Sequence, residues 1–175
     1  MKFRDLTADD IEVRMQSVKQ NGLILLLYKN ARVDMAILDE TVGTENWQRE
    51  HYECKGNLFC RVGINVNYNN PDSADKWVWK SDCGTESNTE AEKGEASDSF
   101  KRACFNWGIG RCLYTSPLIW VAANRCNVQN GKCYDRFSVE KIAIENKKIV
   151  GLSIINNSIK SDNIKDKRCF VWSAK

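Results

Sequence analysis

The stretch Thr89-Glu-Ala-Glu-Lys-Gly-Glu-Ala-Ser-Asp-Ser-Phe-Lys-Arg-Ala-Cys-Phe-Asn-Trp-Gly-Ile-Gly110 reads as a single helix with a polar start and a glycine stop. Thr89 followed three residues later by Glu92 has the form of a capping box, and Gly108 and Gly110 end the pattern. At about 100° per residue, Ala96, Phe100, Ala103, Cys104 and Trp107 fall within one stripe roughly 100° wide, the width of a buried face. Lys101 and Arg102 point away from that stripe, and Phe105 lies between their directions. Two readings of the pair are open at this point. Cations toward a helix C-terminus are favoured by the macrodipole alone. An aromatic flanked by two cations on an outer helix face also suits a phosphate backbone with bases nearby.

The residues before this helix read as strands. Trp47–Cys54 turns at Lys55-Gly-Asn57 into Leu58–Tyr68, where Leu58, Cys60, Val62, Ile64, Val66 and Tyr68 alternate with Arg61, Asn65 and Asn67. After the turn at Asn69–Ser73, Trp77–Cys83 forms a third strand, with Trp77 and Trp79 on one face and Lys80 and Asp82 elsewhere. The expected fold is therefore α+β: an antiparallel β-meander, in β-β-β-α order, packed on a long helix. Arg61 and Lys80 are read as lying on the meander's polar face, where they are candidates for a nucleic-acid groove or ordinary solvated strand residues.

Further out, Ile11, Met15 and Val18 predict a short helix over Thr7–Lys19, broken by Asn21-Gly22. The apolar run Leu23–Tyr28 predicts a buried strand, and Ala31–Thr41 a helix with Val33, Ile37 and Leu38 inward, ended by Gly43. Arg32 sits in the first turn of that helix, where the dipole disfavours a cation. Downstream, Leu113–Ala123 reads as extended or partly helical around Pro117. Asp135–Asn146 and Lys148–Asn156 read as an extra C-terminal β-hairpin, Ile159–Lys167 as loop, and Cys169–Trp172 as a terminal strand. The expected organisation is a core over residues 1–125 with a β extension of the same domain over residues 126–175.

A chain of 175 residues with 42% apolar residues and six Trp has the material for one buried core. A formal charge of +3 permits nucleic-acid binding without demanding it, so a basic groove requires local clustering. No segment resembles a signal peptide, and Leu23–Tyr28 is far too short for a membrane span. The expectation is a cytoplasmic protein with no membrane partner, whose eight Cys are free thiols. No CxxC pair is present, and Cys126 with Cys133 is the nearest approach to a zinc motif, so no metal is expected.

No catalytic constellation emerges from the residues. Gly108-Ile-Gly-Arg-Cys lacks the Lys-Ser/Thr of a phosphate-binding P-loop. His51 is the only histidine, which excludes sites built on two, and residues three apart on a strand, such as His51 and Cys54, face opposite sides. The chain reads as a non-enzyme with no cofactor.

Two segments in order carry a resemblance. Glu95-Ala-Ser-Asp-Ser-Phe-Lys-Arg-Ala-Cys-Phe-Asn-Trp-Gly108 resembles the helix of the Rad-fifty-two family of single-strand annealing proteins, with its Ala-x-Asp-x-(aromatic or Leu)-Lys-Arg-Ala pattern ending in aromatic-Gly. Tyr28-Lys-Asn-Ala-Arg-Val-Asp-Met-Ala-Ile-Leu-Asp-Glu-Thr-Val-Gly-Thr-Glu-Asn-Trp47 resembles the family's Arg-containing helix and its Gly-x-x-x-Trp entry to the meander. The resemblance covers roughly residues 7–123 and is closest in size to short bacterial and phage members.

The resemblance implies an ATP-independent DNA strand-annealing protein for recombination and repair, working as a homo-oligomeric ring with single-stranded DNA in a positively charged outer groove. Lys101 and Arg102 would contact the phosphate backbone, and Arg32 would line the groove from the other side. A host single-strand binding protein is a further expected partner. The alternative is a protein that protects single strands or DNA ends without annealing them. Two departures stand out. Phe105 occupies a position where the family often has another cation, leaving stacking or a subunit contact as its role. The loop before the helix carries Glu86, Glu90 and Glu92 where the family's secondary DNA site draws on lysines, so that site is not carried over.

Overall fold

A computed structural model describes residues 1–70, 72–85 and 91–174, and shows a mixed α and β chain whose sheets are all antiparallel. In chain order the elements are β1 (Glu12–Lys19), β2 (Gly22–Tyr28), α1 (Ala31–Val42), β3 (Trp47–Cys54), β4 (Asn57–Asn65), β5 (Trp77–Cys83) and α2 (Ala91–Trp107). They continue with β6 (Ile119–Ala122), β7 (Val128–Gln129), β8 (Lys132–Cys133), β9 (Phe137–Glu145), β10 (Lys148–Asn156), α3 (Ile164–Lys167) and β11 (Arg168–Ser173). The Thr89 cap expected at the start of α2 lies outside the described residues, as do Glu86 and Glu90.

The chain divides into two units, and the boundary expected at residues 125 and 126 falls inside the second of them. The first comprises Met1–Arg4 and Asn30–Gly110, the second Asp5–Lys29 and Arg111–Lys175.

In the first unit, β3, β4 and β5 pair in sequence order with two-strand registers that run the length of the sheet. The β3–β4 hairpin closes through Lys55 and Gly56, both at positive φ (53° and 74°), the turn whose twist matches paired strands. Cys60, Val62 and Ile64 are fully buried on one face of β4, with Phe100, Ala103 and Cys104 of α2 buried as well. Their burial joins the alternation of a strand to the 3.6-residue period of a helix. The α2 helix is also tied to the sheet by polar contacts. Trp107 Nε1 donates to the Val62 carbonyl (3.0 Å), the Glu95 carboxylate accepts from the Leu58 N–H (3.0 Å), and His51 Nε2 meets the Ala96 carbonyl at 3.1 Å.

The α1 helix starts at Asn30, whose side chain accepts from the backbone N–H of Arg32 (2.9 Å) and Val33 (3.3 Å). Gly43 ends it by donating to the Asp39 carbonyl (3.0 Å), and Trp47 Nε1 donates to the Asp39 carboxylate (2.6 Å), fastening the start of β3 to this helix.

The second unit holds a six-stranded sheet in the order β11-β10-β9-β1-β2-β6. The C-terminal hairpin β9–β10 is thus continuous with the N-terminal hairpin β1–β2 through the β9–β1 pairing, and is not an appendage. Leu23, Leu25, Ile119, Val121, Leu152 and Ile154 are buried here.

The helix expected over Thr7–Lys19 is a strand preceded by one turn of 3-10 helix at Ala8–Asp10. A β-bulge explains the misleading spacing. The β1–β2 register passes from Met15↔Leu25 to Ser17↔Ile24, so the extra residue Gln16 is skipped and Val18 pairs with Leu23. Met15 and Val18 therefore share a face at a separation of three, which on sequence alone has the look of a helix. Leu113–Ala123, expected as extended or partly helical, divides into a 3-10 turn (Arg111–Thr115) and β6, with Pro117 between them.

An ion pair ties the edge strand β11 to β9 across β10. Arg168 donates through Nε (2.7 Å) and Nη2 (2.6 Å) to the Glu140 carboxylate, which also accepts from Ser153 Oγ (2.6 Å). The Arg168 hydrogen bonds, with help from Ser153, hold the Glu140 carboxyl at about 2, against 4.5 for an unperturbed glutamate. A carboxylate depressed in the folded state contributes stability above its unfolded pKa, and that contribution is lost as pH falls from about 4.5 toward 2. Glu140→Gln is expected to lower Tm at pH 6, and the gap to the unmodified protein should close by pH 2. A gap independent of pH between 6 and 2 would show that the clamp adds nothing.

Candidate nucleic-acid interface

The α2 helix runs on to Trp107, where Gly108 adopts positive φ (96°) and donates to the Phe105 carbonyl (2.9 Å) while the Ile109 N–H reaches the Cys104 carbonyl (3.1 Å). Lys101 and Arg102 consequently lie more than one turn inside the helix end, and its last turn contains no cation. Because the dipole's influence falls off within the last turn, it does not account for the pair.

Arg102 belongs to a polar strip along the seam between α2 and β5. Its Nε lies 3.3 Å from Asp82 Oδ1. Asn106 donates to Asp82 Oδ2 (3.3 Å) and to the Ser81 carbonyl (2.9 Å), while Lys80 Nζ donates to the Asn106 carbonyl (2.9 Å) and lies 4.7 Å from the Trp107 ring centroid. Lys80 and Arg102, separate candidates in the sequence, are thereby joined through Asn106 and Asp82. Lys101 occupies the neighbouring flank, with Nζ 3.9 Å from Asp98 Oδ1. Asp98 in turn holds the Thr85 N–H (3.2 Å) and hydroxyl (3.1 Å).

The carboxylates beside these cations do not preclude an anionic ligand. Partly exposed ion pairs are worth about 0.2–1 kcal/mol, whereas hydrogen bonds to charged groups contribute about 1.5–3 kcal/mol. A phosphate presented in line with the Arg102 guanidinium can therefore compete with Asp82 at small cost.

Arg32 stands exposed on the first turn of α1, held there by the Asn30 cap rather than by the helix dipole. Arg61 does not share a face with Lys80. The register pairs Arg61 with Glu50 and Ser81 but Lys80 with Val62, and side chains directly opposite across a sheet share its face. Lys80 is on the α2 side, and Arg61 is on the reverse side, bound to Glu50 through Nε (2.9 Å) and Nη2 (2.6 Å). Reading each strand by itself put both cations on one polar face. Only the pairing between strands separates them.

Phe105 is partly buried, in the same range as Lys101 and Arg102, and takes part in an interaction within the protein. Helical angle located its direction but carried no information on what packs beside that flank. One further cation joins the α2 side: Arg49 of β3, in the same cross-strand row as Val62 and Lys80, with its guanidinium 4.8 Å from the Phe100 ring centroid. The signal for Arg49 was its two-residue offset from Trp47, which needs the β3 orientation to be useful.

Three of the thiols are held in the neutral form. Burial pushes Cys60 and Cys126 up to about 11 and Cys169 up to about 12, far from the thiolate form at neutral pH. Cys126 donates to the Ala122 carbonyl (3.4 Å), and all eight cysteines are free. Among the described residues no group of three or more His, Cys, Asp or Glu side chains is placed to hold a metal ion, and no helix is long and apolar enough to cross a membrane.

A protein-family model described as Rad52/22 family double-strand break repair protein matches residues 3–132. The chain belongs to the Rad52/22 family. No match was found among curated proteins or solved structures. The Rad52/22 match takes in the whole of β1 through β7, reaches the first residue of β8, and includes all six candidate residues, Arg32, Arg61, Lys80, Lys101, Arg102 and Phe105. It stops before the β9–β10 hairpin. Membership assigns the protein to DNA double-strand break repair.

Proposed function

We propose that this Rad52/22 protein binds single-stranded DNA and anneals complementary strands without ATP, acting as a homo-oligomeric ring. The observation that carries this reading is the Lys101-Arg102 pair in the middle of α2, which the helix dipole does not explain. In this reading Lys101 and Arg102 hold the phosphate backbone, with Lys80 extending the strip and Arg32 contributing from α1. Backbone contacts by Lys and Arg give sequence-independent binding that weakens with salt. Sequence discrimination then comes from base pairing, while the protein reduces the repulsion and disorder of strand encounter. Arg61, on the reverse face, is left out of the backbone site, and the half-buried Phe105 is assigned to packing.

Self-association is supported by β3. This eight-residue edge strand is exposed along all but its first residue, and long exposed edges are templates for pairing with another chain. The protein is proposed to work in the cytoplasm on strands delivered by a host single-strand binding protein.

The test mixes complementary oligonucleotides, without nucleotide cofactor, in rising salt. Annealing faster than in buffer, suppressed as salt rises, is the expected result. Salt-sensitive binding with no acceleration would replace annealing with simple strand protection, and a monomeric mass with and without a long oligo-dT would remove the ring.

A further inference from the structure

The face of the β3-β4-β5 sheet that carries Arg61 presents a second arrangement, made of flat groups. Trp79 lies across Gly63: a Cβ at that position would come 2.8 Å from the indole ring, so only glycine lets the ring lie flat on the sheet. The Arg61 guanidinium covers the Trp79 ring at 4.7 Å from its centroid and is held there by Glu50. Two residues along the same face, Tyr52 stacks on Phe59 with centroids 5.5 Å apart and planes at 23°. Glu50, Tyr52, Arg61, Trp79 and Ser81 line one open cavity of about 460 Å³. That volume is within the range of small-ligand sites, roughly 300–1,000 Å³. Tyr52 and Trp79 are 38% and 36% exposed at its wall.

Single exposed aromatics need no explanation, but here two of them and a planar guanidinium converge on one cavity. Its charge distinguishes it from the α2 side. Arg61 and Glu50 neutralise each other, so the cavity offers stacking planes and edge-on hydrogen-bonding groups in place of a net positive field. Arg61 is engaged by Glu50 through two short contacts (2.9 and 2.6 Å) where Arg102 meets Asp82 through one at 3.3 Å, so a phosphate gains less here than on the α2 side, whereas a neutral flat ring gains both faces and edges.

We propose that this cavity is a stacking site for a nucleobase of single-stranded nucleic acid, a proposal that rests on the single-strand reading above. The base lies against the Tyr52 ring and the Arg61 guanidinium, with the Glu50 carboxylate and Ser81 hydroxyl at its edge. Trp79, fixed over Gly63, is the support that keeps the guanidinium plane in position. Stacking of this kind is tolerant of sequence, because every base has a π-face. The site therefore adds affinity without adding sequence preference.

The experiment compares oligo-dT with an abasic oligonucleotide of equal length and charge on the full chain. The unmodified protein is expected to bind the base-bearing strand about tenfold more tightly or better, the scale of base–aromatic stacking. Tyr52→Ala should erase most of that preference while leaving the salt dependence of binding unchanged, and Tyr52→Phe should restore it. Equal binding of the two strands overturns the stacking site and leaves annealing intact. Preferential binding of oligo-dT with no annealing keeps the stacking site and overturns annealing. Binding of neither strand overturns both. A Tyr52→Ala protein that keeps the base preference but changes its oligomeric mass overturns the proposal and assigns the face to a second copy of the chain.

Discussion

Lys101→Ala combined with Arg102→Ala is expected to abolish strand annealing and to weaken single-strand binding on the order of a hundredfold at low salt. Loss of two charge-assisted contacts at about 1.5 kcal/mol each gives about 3 kcal/mol, which sets that scale. The more diagnostic quantity is the salt slope. For single strands each phosphate contact contributes about 0.7 to the slope of log K against log salt, so the double variant should flatten it by about 1.4. Both side chains emerge from a flank of α2 away from Phe100, Ala103 and Cys104, so the helix should remain docked and the thermal transition nearly unchanged. Lys165→Ala with Lys167→Ala removes the same formal charge from α3 and serves as the comparison. A slope reduced equally by both double variants would mean that net charge, and not the α2 seam, governs binding. An unchanged slope in the α2 variant would place the backbone contact elsewhere.

Phe100→Ala should be the most destabilising single change in the first unit, costing about 3–5 kcal/mol, the usual range for a buried Phe truncated to Ala. The ring is fully buried, lies 6.2 Å centroid to centroid from Trp47, and carries the Arg49 guanidinium at 4.8 Å. Removing it takes away the apolar centre between α2 and β3. What remains are the smaller buried side chains Ala103 and Cys104 and the polar anchorage by Trp107, Glu95 and His51, whose hydrogen bonds contribute only about 0.5–1.5 kcal/mol each in net terms. The consequence reaches function through population: α2 carries Lys101 and Arg102, so single-strand binding should fall as the unit unfolds, while molecules still folded bind normally. Urea unfolding followed by tryptophan emission measures the loss. A shift below about 1 kcal/mol would mean that the seam's polar contacts, rather than the buried ring, hold the helix in place.

Both expectations could be framed from the sequence because α2 announces itself there. Phe100, Ala103 and Cys104 recur at helical spacing, and all three are fully buried. The same local legibility holds for α1, whose end Gly43 marks, and for the buried row Cys60, Val62 and Ile64, whereas the Asn30 cap emerged only in the structure. Local rules failed where an extra residue altered the period. Gln16 sits in a bulge, so β1 presents Met15 and Val18 on one face and mimics a helix. Helical angle also gives a direction without a degree of exposure: Lys101, Arg102 and Phe105 all point away from the buried stripe and all are partly buried.

The sequence by itself determined the elements whose signals are local, namely helix stops at Gly43 and Gly108, the turn at Lys55-Gly56, strand alternation and the helical stripe of α2. It also determined the family, because the Arg32 and Lys101-Arg102 segments occur in order. Only the tertiary structure decided which strands pair and in what register. Pairing joined the C-terminal hairpin to β1 in one sheet, put Lys80 on the α2 side, and put Arg61 over Trp79 on the reverse. The physical reason is the two-residue period of a strand. A register shifted by one residue exchanges the faces, and nothing within a single strand states which residue of its neighbour lies opposite.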